Sequence, residues 1–431
     1  MTPRISIIIP THNRSEMLPR TLGALAKQTT APEDYEVIVV ADGCQDSTSD
    51  VVRSLQLPYT LIFVEQPALG AAAARNHGAR LATAPLLLFL DDDMEATPEL
   101  VRAHLTTHTA YPGGVVLGYF PVAVRENITD IFEISVKLWW DKGFQARSQP
   151  SHRFTFWDFC TGNVSLPRQL FNDLGGFDER FHGKAGEDYE FGIRLLKRRV
   201  RFRFIREAAS IHHGELSLER SLQRATAEGQ GQSLIVQKHP EVFREFSLSR
   251  PVSGPILRPL WYLLWRQPVL ATLLAQILRV PLRVARACKF SSLMERIYGC
   301  LHSYFYWRGV KRELGSLSAL RRLQQDAPLE PITYHEIELD VATDMPRLEA
   351  ILNENPVDAV RLRYGTIPLG RIAPMIGAEP LRPVHVREAL IYQYGTMLLG
   401  LYMLDQLEHS SPIPQTLQRN GGLKKDANIP S

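Results

Sequence analysis

Unbroken apolar runs alternate with amphipathic stretches through the first half of the chain. Ile5-Ser6-Ile7-Ile8-Ile9-Pro10, Tyr35-Glu36-Val37-Ile38-Val39-Val40, Leu61-Ile62-Phe63-Val64 and Leu86-Leu87-Leu88-Phe89-Leu90 each read as a strand. Short continuous runs of this kind suit strands buried on both faces, as in a parallel sheet covered by helices. Between them, Glu16 to Gln28 and the Ala-rich Gly70 to Ala84 carry apolar residues at helical spacing, and Ala41 to Thr48 is a turn that starts another helix. Alternation at this pace predicts a doubly wound, mostly parallel sheet with right-handed crossovers. Arg201 to Ile205 and Ala208 to His213 read as two more strands, the second ending in two imidazoles.

The polar positions gather where these runs end. The fourth run passes straight into Asp91-Asp92-Asp93. In open α/β sheets ligands bind at the carboxyl ends of the strands. Three adjacent carboxylates repel one another unless a cation or hydrogen-bond donors face them, and hard oxygen ligands suit Mg²⁺ or Mn²⁺. A solvated acidic turn before the next helix is the plain alternative; the place after a buried strand favours the metal. The dinucleotide fingerprint GxGxxG is absent, since Pro10-Thr11-His12-Asn13 follows the first strand, and no P-loop sequence occurs. A bound nucleotide diphosphate would therefore be held through a metal rather than a glycine nest. Glu187 and Asp188 precede the helical face continued by Leu195 and Leu196. Such carboxylates can serve as cap and dipole partner, or as a base aimed at an acceptor hydroxyl.

Composition changes the picture mainly after the sheet. The chain has 431 residues, 45% hydrophobic and 22% charged, with net charge +3, which predicts two or three globular domains. Its four cysteines are scattered without a CxxC pair, the pattern of reduced thiols, and the start lacks a signal-peptide h-region. Both point to the cytoplasm and leave the sequons at Asn127 and Asn163 without meaning. Aromatic residues crowd 119–160, where core filling is the safer reading than sugar stacking. Residues 251–312 hold ten Lys or Arg against one acid, Glu295, with Trp261, Trp265, Tyr304 and Trp307 among them. Their uncharged run, Gln267 to Leu278, is shorter than the roughly 20 residues a span requires. This predicts amphipathic basic helices on an anionic membrane surface, against the alternative of a helical subdomain packed on the catalytic core. No nucleic-acid recognition motif accompanies the charge. Further on, Ile332 to Val341 reads as a strand, Met345 to Asn355 as a helix, Ala359 to Ile372 as a hairpin and His385 to Leu404 as a closing helix.

Taken together, Ser6 to Arg14, Val39 to Thr48, Gly70 to Asn76, Phe89 to Asp93, Gly162-Asn163, Gly175 to Glu179 and Glu187-Asp188 resemble a family 2 glycosyltransferase of the GT-A fold, over about residues 4–240. One departure is His12, where many relatives have Tyr. The resemblance implies that Pro10, Thr11 and Asn13 line the nucleotide pocket, that Asp42 contacts the base, and that Arg75 reaches the nucleotide or its phosphates. Asp91 and Asp93 resemble the DxD pair, Asp91 towards the ribose and Asp93 on the metal. Asp91, Asp93 and His212 are the expected ligands of Mn²⁺ or Mg²⁺, with His213 as an alternative. Asp92, Gly162, Asn163 and Glu187 fall among the donor-binding residues, and Asp188 matches the general base.

The implied function is an inverting, metal-dependent transfer from a nucleoside-diphosphate sugar to a hydroxyl of a cell-surface glycan or lipid-linked saccharide. The competing readings are a catalytically silent glycan-binding scaffold and a sugar-nucleotide pyrophosphorylase. The expected organisation is an α/β GT-A catalytic domain over 1–245, a Rossmann-like, mostly parallel mixed sheet flanked by helices. A basic helical region over 246–325, a small α+β module over 326–410 and a disordered tail over 411–431 follow. The expected location is cytoplasmic, peripheral at the inner face of the plasma membrane.

Overall fold

The computed structural model describes residues 2–123, 131–214, 217–328, 334–354 and 356–409. The sequon at Asn127, the start of the strand expected from Ile332 and the tail expected from 411 lie outside the described residues.

The first half is an alternation of strands and helices. β1 (Ile5–Thr11), α1 (Leu18–Leu25), β2 (Tyr35–Asp42), α2 (Thr48–Ser54), β3 (Thr60–Gln66), α3 (Ala71–Leu81) and β4 (Leu86–Leu90) follow the apolar runs closely. β1, β2 and β3 pair in parallel, and β4 joins β1 on its other side. Every residue of β2 is buried, as expected of a strand covered on both faces. Ser6 and Glu36 are the polar exceptions: the Ser6 hydroxyl donates to Glu36 Oε1 at 2.6 Å, and Thr83 N donates to the same oxygen.

The sheet then departs from the parallel pattern. β5 (Met94–Ala96), α4 (Leu100–Ala110), β6 (Val115–Tyr119), α5 (Ile131–Arg147), β7 (Asn163–Pro167), α6 (Arg168–Asp173), α7 (Glu187–Lys197) and β8 (Phe202–His212) complete an eight-stranded sheet of order β3-β2-β1-β4-β7-β6-β8-β5. β7 runs antiparallel to both β4 and β6. The two strands expected over 201–213 are one strand: Arg206-Glu207 interrupt the apolar pattern and lie in a bulge, where the register jumps from Gly118 opposite Ile205 to Tyr119 opposite Ala209, but the strand runs on through it. β5 pairs antiparallel with β8, Met94 opposite His212.

Helices continue the molecule. α8 (Leu218–Lys238), α9 (Leu257–Arg266), α10 (Pro268–Ala287), α11 (Ser291–Leu314) and α12 (Leu317–Asp326) share one continuous apolar core with the helix-covered side of the sheet, from Ile8 and Phe89 through Phe191 and Leu222 to Leu301 and Val310. α8 and α11 pack backbone to backbone: a Cβ on Gly229 would lie 2.0 Å from the Tyr306 carbonyl oxygen, and one on Gly309 2.1 Å from that of Thr226. Glycine on both helices permits this approach.

The remaining residues form β9 (Glu336–Asp340), α13 (Leu348–Glu354), β10 (Ala359–Tyr364), β11 (Ile367–Ile372), α14 (Pro383–Tyr392) and α15 (Gly395–His409), with a separate apolar core. The hairpin is present, turning at Gly365 with φ +56°; the single closing helix is two. This module docks on the sheet domain. Arg153 donates to the carbonyls of Glu379 and Asp358, Arg199 pairs with Asp358, and Phe156 N donates to the Gly377 carbonyl.

Candidate active site

The site is assembled where β4 ends. The Asp91-Asp92-Asp93 run divides its carboxylates between different surroundings. Asp91 has a partly exposed side chain, and its Oδ1 accepts from Arg75 Nη2 at 2.9 Å. Asp92 is buried; its carbonyl accepts from the Thr21 hydroxyl of α1, and Arg14 Nε lies 3.4 Å from its carboxylate. Burial, despite Arg14, pushes the Asp92 carboxyl up to about 7, with Asp93 and Asp91 adding to the rise. The contacts of Asp92, expected among the donor-binding residues, lie with α1 and Arg14.

Asp93 meets His212 because β5 pairs with β8. The His212 Nε2 to Asp93 Oδ1 distance is 3.4 Å, an ion-pair contact without hydrogen-bond geometry, so this buried oxygen has no hydrogen-bond partner. Burial would raise the Asp93 carboxyl, but His212 and Arg14 outweigh it and hold it below its ordinary value. Burial would likewise lower the His212 imidazole, yet Asp93 draws it upward. His213 is engaged elsewhere: Nε2 pairs with Glu95 at 2.7 Å, and Nδ1 lies 3.4 Å from Arg20. Of the two imidazoles, His212 is the one facing the carboxylates.

Arg75 joins the two halves of the site. It is buried on α3, with Nη2 on Asp91 and Nη1 on Glu187 Oε1 at 2.8 Å. Burial alone would favour losing its proton, but Asp91 and Glu187 keep the guanidinium firmly charged. The arginine expected on the nucleotide phosphates therefore spans two carboxylates from β4 and α7. Asp188 follows Glu187 in the first turn of α7, after Gly186 at φ +109°. Among the described residues its carboxylate takes one hydrogen bond, from Tyr189 N–H at 2.8 Å, and no ion pair. Burial, then the neighbouring Glu187 charge, raises the Asp188 carboxyl well above the usual carboxylate range, against opposing pulls from Arg75 and Arg224. Arg224, on α8, carries no motif in the sequence; only the packing of α8 brings it near Asp188.

α7 itself is fixed from below. Glu190 is fully buried and accepts from Arg194, Lys238 and His239. Burial would raise it, but these donors hold its carboxyl down at about 2. Lys238 also reaches Asp178 at 2.7 Å, tying the Gly175–Glu179 segment to the same cluster.

The residues expected to line a nucleotide pocket hold the loops at the strand ends together. Asn13, at φ +53°, accepts from Gln45 N and Asp46 N through Oδ1 and so clamps the loop after β2 to that after β1. Asp42 Oδ1 accepts from Leu69 N and Gln66, and Oδ2 from Gly70 N, so the carboxylate expected on the base holds the entry to α3. Pro10 is half-buried and Thr11 buried at the end of β1. Gly162 presses on the site: a Cβ there would lie 2.9 Å from Met94 Cε and 3.3 Å from Asp91 Oδ2. Asn163 departs from expectation. It is fully enclosed, accepting from His104 Nε2 at 2.9 Å and donating to the Ala208 carbonyl. Its amide is spent inside the sheet.

A divalent cation fits the β5–β8 end by donor chemistry. The buried Asp93 Oδ1 lacks a hydrogen-bond partner and faces an imidazole, a carboxylate–imidazole pair compatible with Mn²⁺ or Mg²⁺. Asp91 is turned to Arg75, and among the described residues no three of His, Cys, Asp and Glu gather as a ready metal cluster. One carboxylate ligand, here Asp93, with other positions left to water and substrate oxygens is a usual arrangement for Mg²⁺.

The description "Glycosyl transferase family 2" matches residues 6–175, from β1 through the carboxylate run to the Gly175-Gly176 turn. This domain belongs to glycosyl transferase family 2. A second description, "N-terminal domain of galactosyltransferase", matches 142–215, which takes in α7 and His212. The family 2 domain is 40% identical over 276 residues to a validoxylamine A glucosyltransferase of Streptomyces hygroscopicus subsp. limoneus, covering 56% of this chain and 58% of that one. It is 29% identical over 271 residues to a chondroitin synthase of Escherichia coli, covering 56% of this chain and 39% of the relative. The match thus spans little more than half of the glucosyltransferase. A mannosyltransferase structure from Pyrobaculum calidifontis, in complex with GDP-Man and Mn²⁺, aligns at 18% identity and TM-score 0.48, over 72% of this chain and 87% of that one. The mixed sheet with its antiparallel β7 is the GT-A architecture expected for the family 2 domain.

Proposed function

We propose that the chain is an inverting glycosyltransferase that moves a sugar from a nucleoside-diphosphate sugar to a hydroxyl acceptor. The observation that carries this reading is Asp188: a carboxylate at a helix start, free of ion pairs among the described residues and raised in pKa by burial. A base with its pKa lifted toward neutrality suits removal of a hydroxyl proton. Asp188 takes that proton as the acceptor oxygen bonds to the anomeric carbon. The bond from that carbon to the diphosphate breaks on the opposite face, and the nucleoside diphosphate departs. One such displacement inverts the anomeric centre. Arg75 keeps Asp91 and Glu187 fixed on either side of its guanidinium. Asp93 and His212 would hold Mn²⁺ or Mg²⁺, which when bound supplies positive charge to the leaving diphosphate.

The 40% identity to a validoxylamine A glucosyltransferase supports nucleotide-linked glucose as the first donor to test. The test is a donor panel read by nucleoside diphosphate release, with Mn²⁺ and Mg²⁺ compared. Asp188→Asn should lower kcat by about 10²–10⁴-fold while leaving donor KM near wild type. The deprotonated base is the active form, so wild-type kcat should climb with pH through a value above the usual carboxylate range and then level. An Asp188→Asn enzyme as fast as wild type would remove Asp188 from the mechanism.

A further inference from the structure

The outward side of α10 is an unexplained apolar surface. Val269, Leu270, Leu273, Leu274, Ile277, Val280 and Val284 are all exposed, several by more than half of their area: Val269 74%, Ile277 63% and Val280 62%. Single exposed apolar residues are ordinary, but a contiguous row marks an interaction surface. At about 100° per residue these seven positions, with Pro281, occupy one arc of roughly 140° that holds no charge. The opposite side is packed: Ala271, Ala275, Leu282 and Ala285 are buried against the neighbouring helices. Arg283, exposed, lies about 40° beyond one edge of the apolar arc, while Arg279 and Arg286 fall on the opposite side, Arg279 over the Phe305 ring. Beyond the ends of α10, Tyr262 and Phe290 are exposed beside Arg266 and Lys289.

We propose that this face is a docking surface for an anionic lipid bilayer, with α10 lying in the plane of the interface. α10 is long and apolar enough to cross a membrane by length and composition alone. A crossing is disfavoured because one full side is committed to protein, and because its last turns carry three arginines and Pro281. An uncharged apolar arc with Arg283 near its edge, and with Arg266 and Lys289 beside exposed aromatic residues beyond its two ends, matches a helix buried partway into headgroups. The occupant is chosen by charge: ten basic residues against one acidic over 251–312 complement anionic lipid and oppose self-association of the same surface. Arg283 also pairs with Glu219 at 3.2 Å in the first turn of α8, tying the docking helix to the segment that follows His212. This inference does not rest on the transferase reading, since its test measures binding and not turnover.

The full chain should float with phosphatidylglycerol-containing phosphatidylcholine vesicles at low salt and stay behind with phosphatidylcholine alone. The variant Leu273→Gln/Ile277→Gln/Val280→Gln should lose flotation with its circular dichroism and melting temperature unchanged. Arg266→Gln and Arg283→Gln should each weaken partitioning about fivefold, less so at high salt. Wild type remaining behind with anionic vesicles overturns the proposal. If the wild type is then a dimer by light scattering and the triple variant a monomer, a second copy covers the face instead. Equal flotation of wild type and triple variant also overturns it.

Discussion

Arg75 shows how much one side chain decides here. The sequence puts it on an Ala-rich helix, where arginine normally reaches solvent. In the fold it is buried, with one nitrogen on Asp91 and another on Glu187. Replacing it with Met leaves two carboxylates facing each other without a counter-charge. Removing one member of a buried pair costs about 3–5 kcal/mol, and the low end applies because Asp91 is partly exposed to water. Arg75→Met should therefore lose about 3 kcal/mol in urea denaturation. Arg75→Lys keeps the charge but not the planar fork, so it should recover part of the stability without restoring full turnover. Equal denaturation midpoints for Arg75→Met and wild type would show that the bridge contributes nothing.

At the scale of elements, α4 is fastened to β7 by imidazoles. His108 Nε2 donates to the Ser165 hydroxyl, Ser165 donates to His104 Nδ1, and His104 Nε2 donates to Asn163. This chain requires both rings neutral. Burial depresses His104 to about 3 and His108 to about 4. In the unfolded chain both protonate near the ordinary value of 6.5. Between that value and the folded pKa the unfolded state binds more protons, so stability falls as pH drops. The loss is on the order of 2 kcal/mol per imidazole between pH 6.5 and 5. The melting temperature should fall over this range in wild type, and clearly less in His104→Gln/His108→Gln relative to its own value at pH 7. A wild-type melting temperature that is flat from pH 7 to 5 would contradict this.

At the scale of the molecule, the C-terminal module is keyed to the helix of the proposed base. Gly377, at φ +66°, lies so close to Phe156 that a Cβ would stand 2.5 Å from Phe156 Cδ1. Phe156 in turn packs on α7, where a Cβ on Gly192 would lie 3.2 Å from its carbonyl oxygen. Pressure from the module is thereby transmitted to the helix that begins at Glu187-Asp188. Gly377→Val should cost about 1–3 kcal/mol through overpacking, with added strain from the positive φ. Residues 334–409 should become more open to limited proteolysis, and kcat should drop with them. Unchanged proteolysis together with unchanged kcat would show that the module and α7 are not coupled.

How far the sequence reached follows from what is local. Strands β1 to β4 were legible because a strand buried on both faces must be continuously apolar, and Ile5–Ile9 or Leu86–Leu90 allow no other packing. The carboxylates at the end of β4 were legible because polar residues abruptly follow that run. Arg206-Glu207 divide β8 in the side-chain pattern, whereas in the fold one strand runs on through a bulge there, paired with β6 before it and held by β6 and β5 after it. The closing helix was read as one because no proline marks its break near Gln393 and Tyr394. Tertiary structure alone decided the pairings across the chain. The antiparallel β5–β8 pairing brings His212 to Asp93, Arg75 joins β4 to α7, and Asn163 turns inward toward His104. The amino-acid order by itself determined the strands, the acidic end of β4 and the basic helical segment, because burial and charge are written residue by residue. Which carboxylate is ion-paired, which stays free and which side of α10 faces water depend on contacts between residues far apart in the chain, and only the folded chain fixes those.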